Sequence, residues 1–204
     1  WDEEPDEDDP EESFEDDETY EKWLLEKVSI QSPESILVLG GWYGGLAAML
    51  KRKYDCLVRS IDTDPDCKRV GRKIYNDDYI QFRSLDFIDY PIQNKYHNLI
   101  VSTSCEHFKR EDLIKFINKT PKGISFCLQS NNYYGIEEHI NCSDSLEDFV
   151  KYLPLHSMLA VELEFEKYKR FMVIGKKWNI IVRYLSITYT IIQQEIIMYV
   201  VIVG

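Results

Sequence analysis

The chain has 204 residues, 44% of them hydrophobic, which is enough for one domain with a buried core. Its formal net charge of −12 comes from the N-terminal end, since residues 1–20 hold thirteen Asp and Glu and no Lys or Arg. Subtracting these thirteen from the chain's 36 acids leaves 23, against 24 Lys and Arg. The rest of the chain is therefore nearly neutral and has no basic stripe for binding a long nucleic acid.

The beginning of the chain predicts an acidic tail. We expect residues 1–18 to be disordered, because a run of like charges cannot bury apolar surface. A start at Trp1 rather than Met indicates a fragment, a processed form or an incomplete reading frame. No signal peptide is visible, and the odd number of cysteines, five, indicates reduced thiols in a cytoplasmic protein, or in the host cytoplasm if the protein is viral.

The first βα unit is predicted around a turn that contains four glycines, over residues 40–45. A helix over Thr19–Ile30 precedes it, on the spacing of its apolar residues. A buried strand over Ile36–Leu39 leads into the turn, and a second helix begins at Leu46. Glycines let a ligand approach the backbone closely, and the helix start presents free N–H groups at the positive end of its dipole.

The later elements alternate in the same way. Strands are predicted over Cys56–Ile61, Ile80–Arg83, His97–Val101 and Ile124–Leu128, and helices from Pro65, over Glu111–Asn118 and from Ser145. Two long β-rich runs, Ser157–Phe165 and Tyr168–Gly175, predict an antiparallel hairpin. The order predicts an α/β fold: a doubly wound, mostly parallel seven-stranded sheet with a C-terminal antiparallel β-hairpin.

Residues 178–204 are rich in Ile and Val and follow the point where this fold is complete. They are expected to form extra strands, an oligomer contact, or translated sequence outside the domain, and we favour the last. Gln193, Gln194 and Glu195 interrupt the run, which argues against a membrane span. The oligomeric state stays open.

Asp62 closes the second predicted strand, about twenty residues past the glycine turn, where an acid is placed to accept hydrogen bonds from ribose hydroxyls. Asp64 is favoured as the N-cap of the next helix, before Pro65. Trp42 and Tyr43 either line a pocket and stack on a cofactor or are surface aromatics.

Five segments in this order, with the terminal hairpin, resemble class I S-adenosylmethionine (SAM)-dependent methyltransferases over roughly residues 18–177. They are VLGGWYGGL (38–46), SIDTDP (60–65), STSCEH (102–107), QSNNYYGIEEHINC (129–142) and YKRFMVIG (168–175). More narrowly, they resemble small methyltransferase-like proteins of tailed phages. The resemblance implies a Rossmann-like methyltransferase domain over residues 19–177 with SAM as its cofactor.

The resemblance also implies the cofactor-binding residues. The family's glycine pattern, G-x-G-x-G, falls on Gly40, Trp42 and Gly44, and the segment it spans, which includes Gly41 and Tyr43, would hold the methionine part of SAM. The family's middle glycine is Trp42 here, and its usual acid two residues before the first glycine is Val38.

The remaining cofactor contacts follow the later strands. Asp62 matches the ribose ligand, and Asp86 with Phe87 matches the pair that holds and covers the adenine. Ser102 is assigned to the cofactor, and it opens the segment, up to His107, where the family places catalytic or substrate-facing groups.

Glu106 and His107 are the predicted catalytic residues. A carboxylate can orient an imidazole as a general base. The alternative is that Glu106 caps a helix and His107 shapes the cofactor pocket, because methyl transfer from a sulfonium depends mainly on positioning.

Asn131, Asn132 and Tyr133 are the predicted substrate-binding residues, in a segment expected just past the fifth strand. Amides beside aromatics suit a planar polar acceptor, and an ordinary polar loop is the alternative.

A zinc site of Cys105, His107, His139 and Cys142 is a further possibility. Its spacing does not match common structural zinc sites, so we predict no metal.

The sequence therefore predicts a methyltransferase that transfers a methyl group from SAM to an unknown acceptor. A small molecule or a protein is favoured over a long nucleic acid. One alternative is an NAD-type oxidoreductase, which Trp42 opposes because a pyrophosphate needs bare backbone at that position. The other is a non-catalytic binding protein, which the Val38 and Trp42 departures favour.

Overall fold

The computed structural model describes residues 22–28, 33–76, 78–93 and 96–177, without the side chains of residues 157 and 158. The predictions for the acidic tail and for residues 178–204 lie outside these ranges and stay predictions. Of the helix predicted over residues 19–30, the described part, residues 22–28, is helical and is called α1.

Seven strands and four further helices follow α1. The strands are β1 (Ser35–Leu39), β2 (Leu57–Asp62), β3 (Gln81–Ser84), β4 (Leu99–Ser102), β5 (Ser125–Asn131), β6 (Leu155–Glu164) and β7 (Lys169–Lys177). The helices are α2 (Gly45–Tyr54), α3 (Pro65–Ile74), α4 (Arg110–Lys119) and α5 (Leu146–Tyr152).

The strands form one sheet in the order β3-β2-β1-β4-β5-β7-β6. Strands β1 to β5 are parallel to one another, whereas β7 pairs antiparallel with both β5 and β6. The predicted α/β fold, a mostly parallel seven-stranded sheet with a C-terminal antiparallel hairpin, is confirmed. The chain reverses its direction across the sheet between β1 and β4, which is where open α/β sheets bind ligands.

Alternate residues of β1 pack into two different apolar cores. Ile36 and Val38 belong to the core that contains residues of α1 and α2, and Leu37 belongs to the core that contains residues of α4 and α5. All three side chains are completely buried. Burial on both faces explains why this strand reads as a continuous apolar run rather than an alternating one.

Local sequence signals mark two helix starts as predicted. Asp64 caps α3 by accepting a hydrogen bond from the backbone N–H of Asp66, and Pro65 is the first helical residue. Ser145 caps α5 by accepting from the N–H of Asp148.

The fifth strand is longer than predicted. Strand β5 continues to Asn131, because its pairing with β7 extends to the Asn131–Arg170 register. Asn131 is therefore the last residue of a strand and not part of a loop beyond it, while Asn132 and Tyr133 do follow the strand.

All five cysteines are buried and free. Within the ranges given above, no helix has both the length and the apolar character needed to cross a bilayer.

His97 is a buried histidine at the end of the sheet opposite the strands' carboxyl ends, just before β4. It is 2% exposed, and its Nε2 lies 3.0 Å from the Tyr90 hydroxyl and 3.4 Å from Arg59 Nη1. Burial, reinforced by the Arg59 charge, lowers the pKa of His97 to about 4. In the unfolded chain the His97 ring takes up a proton near pH ~6.5, whereas in the folded protein it stays neutral down to about pH 4. Between these pH values the unfolded chain binds the proton preferentially, so the free energy of unfolding is highest above pH ~6.5 and decreases as the pH falls towards 4.

We predict that wild-type protein loses stability relative to His97→Gln as the pH falls. The glutamine does not titrate, so the difference between the two proteins should shift by up to about 3 kcal/mol from pH ~7 to pH ~4. Urea unfolding of both proteins across this range measures the shift. Parallel pH profiles would show that His97 is not buried in its neutral form.

Gly44 and Gly45 form a matched pair at the start of α2. Gly44 has φ +96°, and a Cβ there would lie 2.5 Å from Phe82 Cζ, whereas a Cβ on Gly45 meets nothing within 4 Å. We predict that Gly44→Ala lowers the free energy of unfolding by about 2 kcal/mol or more. Gly45→Ala should leave it unchanged or raise it by up to about 1 kcal/mol. Equal urea midpoints for the two variants would contradict this account of the turn.

Candidate functional site

A cleft of about 1220 Å³ opens at the carboxyl ends of the parallel strands. Its walls come from the turns after β1, β2 and β3, the segments after β4 and β5, and the β6–β7 turn. A usual small-molecule site occupies about 300–1000 Å³, so this cleft has room for two ligands side by side.

The glycine turn brings the backbone after β1 against β2. The N–H of Gly41 donates to the Ile61 carbonyl at 3.2 Å, and a Cβ on Gly41 would lie 2.0 Å from Ser60 Oγ. A side chain at this position would force Ser60 to move, which glycine avoids. Trp42 takes a left-handed conformation with φ 46°, and its indole, 64% exposed, stacks on Tyr43 with ring centroids 5.1 Å apart.

Asp62 ties this turn to the end of β2. Its Oδ2 accepts from the N–H of Trp42 at 3.1 Å, and its Oδ1 accepts from the N–H of Asp64 at 3.0 Å. A carboxylate has about four lone-pair sites, so two remain for the hydroxyls of a bound ligand. Asp62 faces the cleft, as do Thr63 and Asp64 beside it.

Asp86 and Phe87 follow β3 on the same side of the cleft. Asp86 caps a short 3-10 turn, Phe87–Asp89, by accepting from the N–H of Ile88 at 3.0 Å. The Phe87 ring packs against Phe108, with centroids 4.7 Å apart. Phe108 also approaches the glycine turn, since its Cζ lies 3.2 Å from the position of a Cβ on Gly40. These aromatic rings give the cleft an apolar wall next to its acids.

Glu106 is a buried carboxylate on the other side of the cleft, in the 3-10 turn Cys105–His107. It is 2% exposed. Its Oε1 accepts from Asn131 Nδ2 at 2.8 Å and lies 3.7 Å from Arg170 Nη2. Arg170 in turn donates to the Thr103 carbonyl at 2.7 Å. Among the described residues, Glu106 Oε2 has no hydrogen-bond partner.

His107 meets His139 at the mouth of the cleft. The two rings are perpendicular with centroids 4.7 Å apart. His139 Nδ1 lies 2.6 Å from the Tyr133 carbonyl, and His107 has a hydrogen bond to the backbone of Glu138. Loss of solvent around the ring lowers the pKa of His107, which the Glu106 carboxylate partly offsets, so the neutral imidazole is favoured.

The cysteines considered as metal ligands do not complete a set with these histidines. The Cys142 thiol points at the Tyr133 carbonyl, 3.2 Å away, and Cys105 is completely buried. Burial raises the pKa of Cys105, and it raises that of Cys142 to about 11. In the described part of the chain, the group whose ligand atoms come together is Glu106, His107 and His139.

The structure brings most of the predicted site residues into this one cleft. Its lining includes Gly40, Trp42, Asp62, Asp86, Phe87, Glu106, His107, Asn131 and Tyr133. The lining does not include Gly41, Tyr43, Gly44, Ser102 and Asn132. Ser102 is fully buried at the end of β4, where its Oγ accepts from the N–H of Ser104, and Asn132 Oδ1 accepts from the N–H of Lys169.

Among the lining residues that were not assigned to the site from sequence, three contact the predicted ones. Arg170 contacts the Glu106 carboxylate, Phe108 packs between Phe87 and Gly40, and the Tyr168 ring lies tilted against Tyr133 with centroids 5.7 Å apart. The one available signal was that Tyr168 and Arg170 lie in the segment YKRFMVIG that carries part of the resemblance.

No protein-family model matches the chain, and no curated protein matches it in sequence. Solved structures of methyltransferases do match its fold. N-methyltransferase NodS from Bradyrhizobium japonicum, in complex with S-adenosyl-L-homocysteine (SAH), aligns with a TM-score of 0.64 at 13% identity, covering 79% of this chain and 87% of that one.

Two further solved structures give the same result. Geranyl diphosphate C-methyltransferase from Streptomyces coelicolor, in complex with Mg2+, geranyl diphosphate and SAH, aligns with a TM-score of 0.63 at 12% identity, over 79% of this chain and 81% of that one. A SAM-dependent methyltransferase from Clostridium acetobutylicum aligns with a TM-score of 0.61 at 14% identity, over 79% and 92%. At such low identity the likeness concerns the fold alone: this chain has the Rossmann-like fold of class I SAM-dependent methyltransferases.

Proposed function

We propose that this protein is a SAM-dependent methyltransferase, with SAM bound over β1 to β3 and the methyl acceptor over β4 to β7. The observation that carries the proposal is the pair of acids Asp62 and Asp86, which face one cleft from the ends of neighbouring strands in a methyltransferase-type sheet. The fold likeness supports the proposal, and the narrower phage-type relationship stays a hypothesis.

The residues around the glycine turn fit a nucleoside with a polar tail. Asp62 retains two lone-pair sites beside a turn that reaches the cleft through Gly40 and Trp42. Asp86 and Phe87 offer an acceptor and an aromatic face at the next strand end. When bound, SAM supplies a methyl group on a sulfonium, which leaves the protein mainly the task of placing the acceptor.

The acceptor side would be formed by Glu106, His107, Asn131 and Tyr133, all of which line the cleft. Asn131 and Glu106 hold each other in one orientation, so polar groups of the acceptor would meet a preset pattern of donors and acceptors. We propose a small molecule or a protein side chain as the acceptor, in a cytoplasmic setting. Gly41, Tyr43, Gly44, Ser102 and Asn132 would support the site from behind its lining.

Calorimetric titration of the full chain with SAM, SAH and NAD tests the proposal. We expect SAM and SAH to bind and NAD not to. Asp62→Asn should weaken SAM binding by about tenfold to a hundredfold, because hydrogen bonds to a charged group are worth about 1.5–3 kcal/mol.

Asp66→Asn is the matched control, since Asp66 lies in the first turn of α3, bonds to Arg69 and does not line the cleft. It should bind SAM as wild type does, and thermal unfolding of both variants checks that they are folded. Binding of NAD alone would move the protein to the oxidoreductase alternative. Absence of SAM, SAH and NAD binding would reject the cofactor assignment and favour a non-catalytic binding protein.

A further inference from the structure

Three side chains at the mouth of the cleft form a set of metal-binding groups. Glu106, His107 and His139 each offer one ligand atom, and these atoms lie within 4.8 Å of one another. Atoms bound to one ion at about 2.1 Å lie about 3–4 Å apart, so the set must close by at most about 1.5 Å. Rotation of the exposed His107 ring can supply such a movement.

His139 is held as a ligating histidine is, whereas His107 is the more exposed of the two. The hydrogen bond between His139 Nδ1 and the Tyr133 carbonyl requires the proton on Nδ1, which leaves the lone pair on Nε2. His107 uses one hydrogen bond on the backbone of Glu138. A backbone carbonyl on the far nitrogen is the usual support of a histidine that binds a metal through its other nitrogen.

The carboxylate supplies the second, independent observation. Glu106 is 2% exposed, and its Oε1 is engaged by Asn131 and lies near Arg170. Its Oε2 is buried and has no hydrogen-bond partner among the described residues, although it belongs to a side chain that lines the cleft. Buried polar atoms are normally paired, so a carboxylate oxygen without a partner, in a side chain whose ligand atom lies near two imidazoles, indicates room for a ligand in addition to Arg170.

We propose that Glu106, His107 and His139 bind a divalent transition-metal cation. Two imidazole nitrogens and one carboxylate oxygen suit Zn2+, Mn2+, Fe2+ or Co2+ better than Mg2+ or Ca2+, which prefer all-oxygen sites. Three protein ligands leave coordination positions for water or a ligand. The sequence predicted no metal and considered a Cys2His2 set as the alternative. The proposed set keeps the two histidines of that alternative and replaces its two cysteines with the Glu106 carboxylate.

Titration with Co2+ in the absence of SAM tests this site, using the full chain with any purification tag removed. Visible absorption reports whether nitrogen ligands enter the coordination sphere, and calorimetry gives the stoichiometry and affinity. We expect one Co2+ per chain with a visible spectrum distinct from that of the aqueous ion. The acids of residues 1–20 are present in every variant, so their weak binding cancels in the comparison.

His139→Gln should weaken Co2+ binding by at least about tenfold. His156→Gln is the matched control, because His156 is exposed on β6 and lies outside the cleft, and it should bind Co2+ as wild type does. If thermal unfolding shows that His139→Gln is misfolded, His107→Gln replaces it, since that side chain is exposed.

Two results would overturn the metal site: a Co2+ spectrum of the aqueous ion only, or equal Co2+ affinities of the wild type and the folded histidine variant. Because no SAM is present, either result leaves the methyltransferase proposal standing. Conversely, absence of SAM binding does not affect the outcome of the Co2+ titration.

Discussion

The burial of the Glu106 carboxylate is the constraint on which the β4–β7 side of the cleft depends. A carboxylate that leaves water loses solvation worth several kcal/mol, so its surroundings must replace that solvation. Asn131 does so from the end of β5, and its orientation is set because its Oδ1 accepts from the N–H of Tyr133. Arg170 adds a positive charge from β7. One buried carboxylate therefore ties together the ends of β4, β5 and β7.

The antiparallel placement of β7 is what brings Arg170 to this position. In the β5–β7 pairing, Arg170 lies opposite Asn131. A slip of one residue would put Phe171 opposite Asn131 and turn Arg170 to the other face of the sheet. The apolar residues of β7 oppose such a slip, because Phe171 and Val173 pack in one core while Met172 and Ile174 pack in the other. Core packing thus sets the register on which the polar network relies.

Local signals were sufficient for the fold and for several of the residues that line the cleft. The Asp64–Pro65 helix start, the helix start at Ser145 and the glycine turn each depend on residues a few positions apart, and each was predicted. The contact between His107 and His139 entered only through the Cys2His2 alternative, since 32 positions separate the two residues and it is the order of the strands in the sheet that brings them together. The end of β5 was missed for a related reason: its last residues are polar, and only pairing with β7 keeps them in the strand.

The structure accommodates Trp42 and Val38, the two departures from the methyltransferase pattern, in different ways. Trp42 adopts the left-handed conformation that a glycine would take, and its N–H bonds to Asp62 while its indole stays largely exposed against Tyr43. Val38 is buried in the core with α2 and leaves no charge under the turn. The charge that would orient the positive end of a cofactor must then come from elsewhere. In the described cleft, Asp62, Asp64 and Asp86 carry negative charge on the β2–β3 side, whereas on the β4 side the Glu106 charge is offset by Arg170, 3.7 Å away. A divalent cation held by Glu106 and the two histidines would make the β4 side positive and leave the β2–β3 acids as the attraction for a positively charged cofactor. The polarity of the cleft, and with it the division between cofactor and acceptor, would then follow from the occupancy of a single ion site.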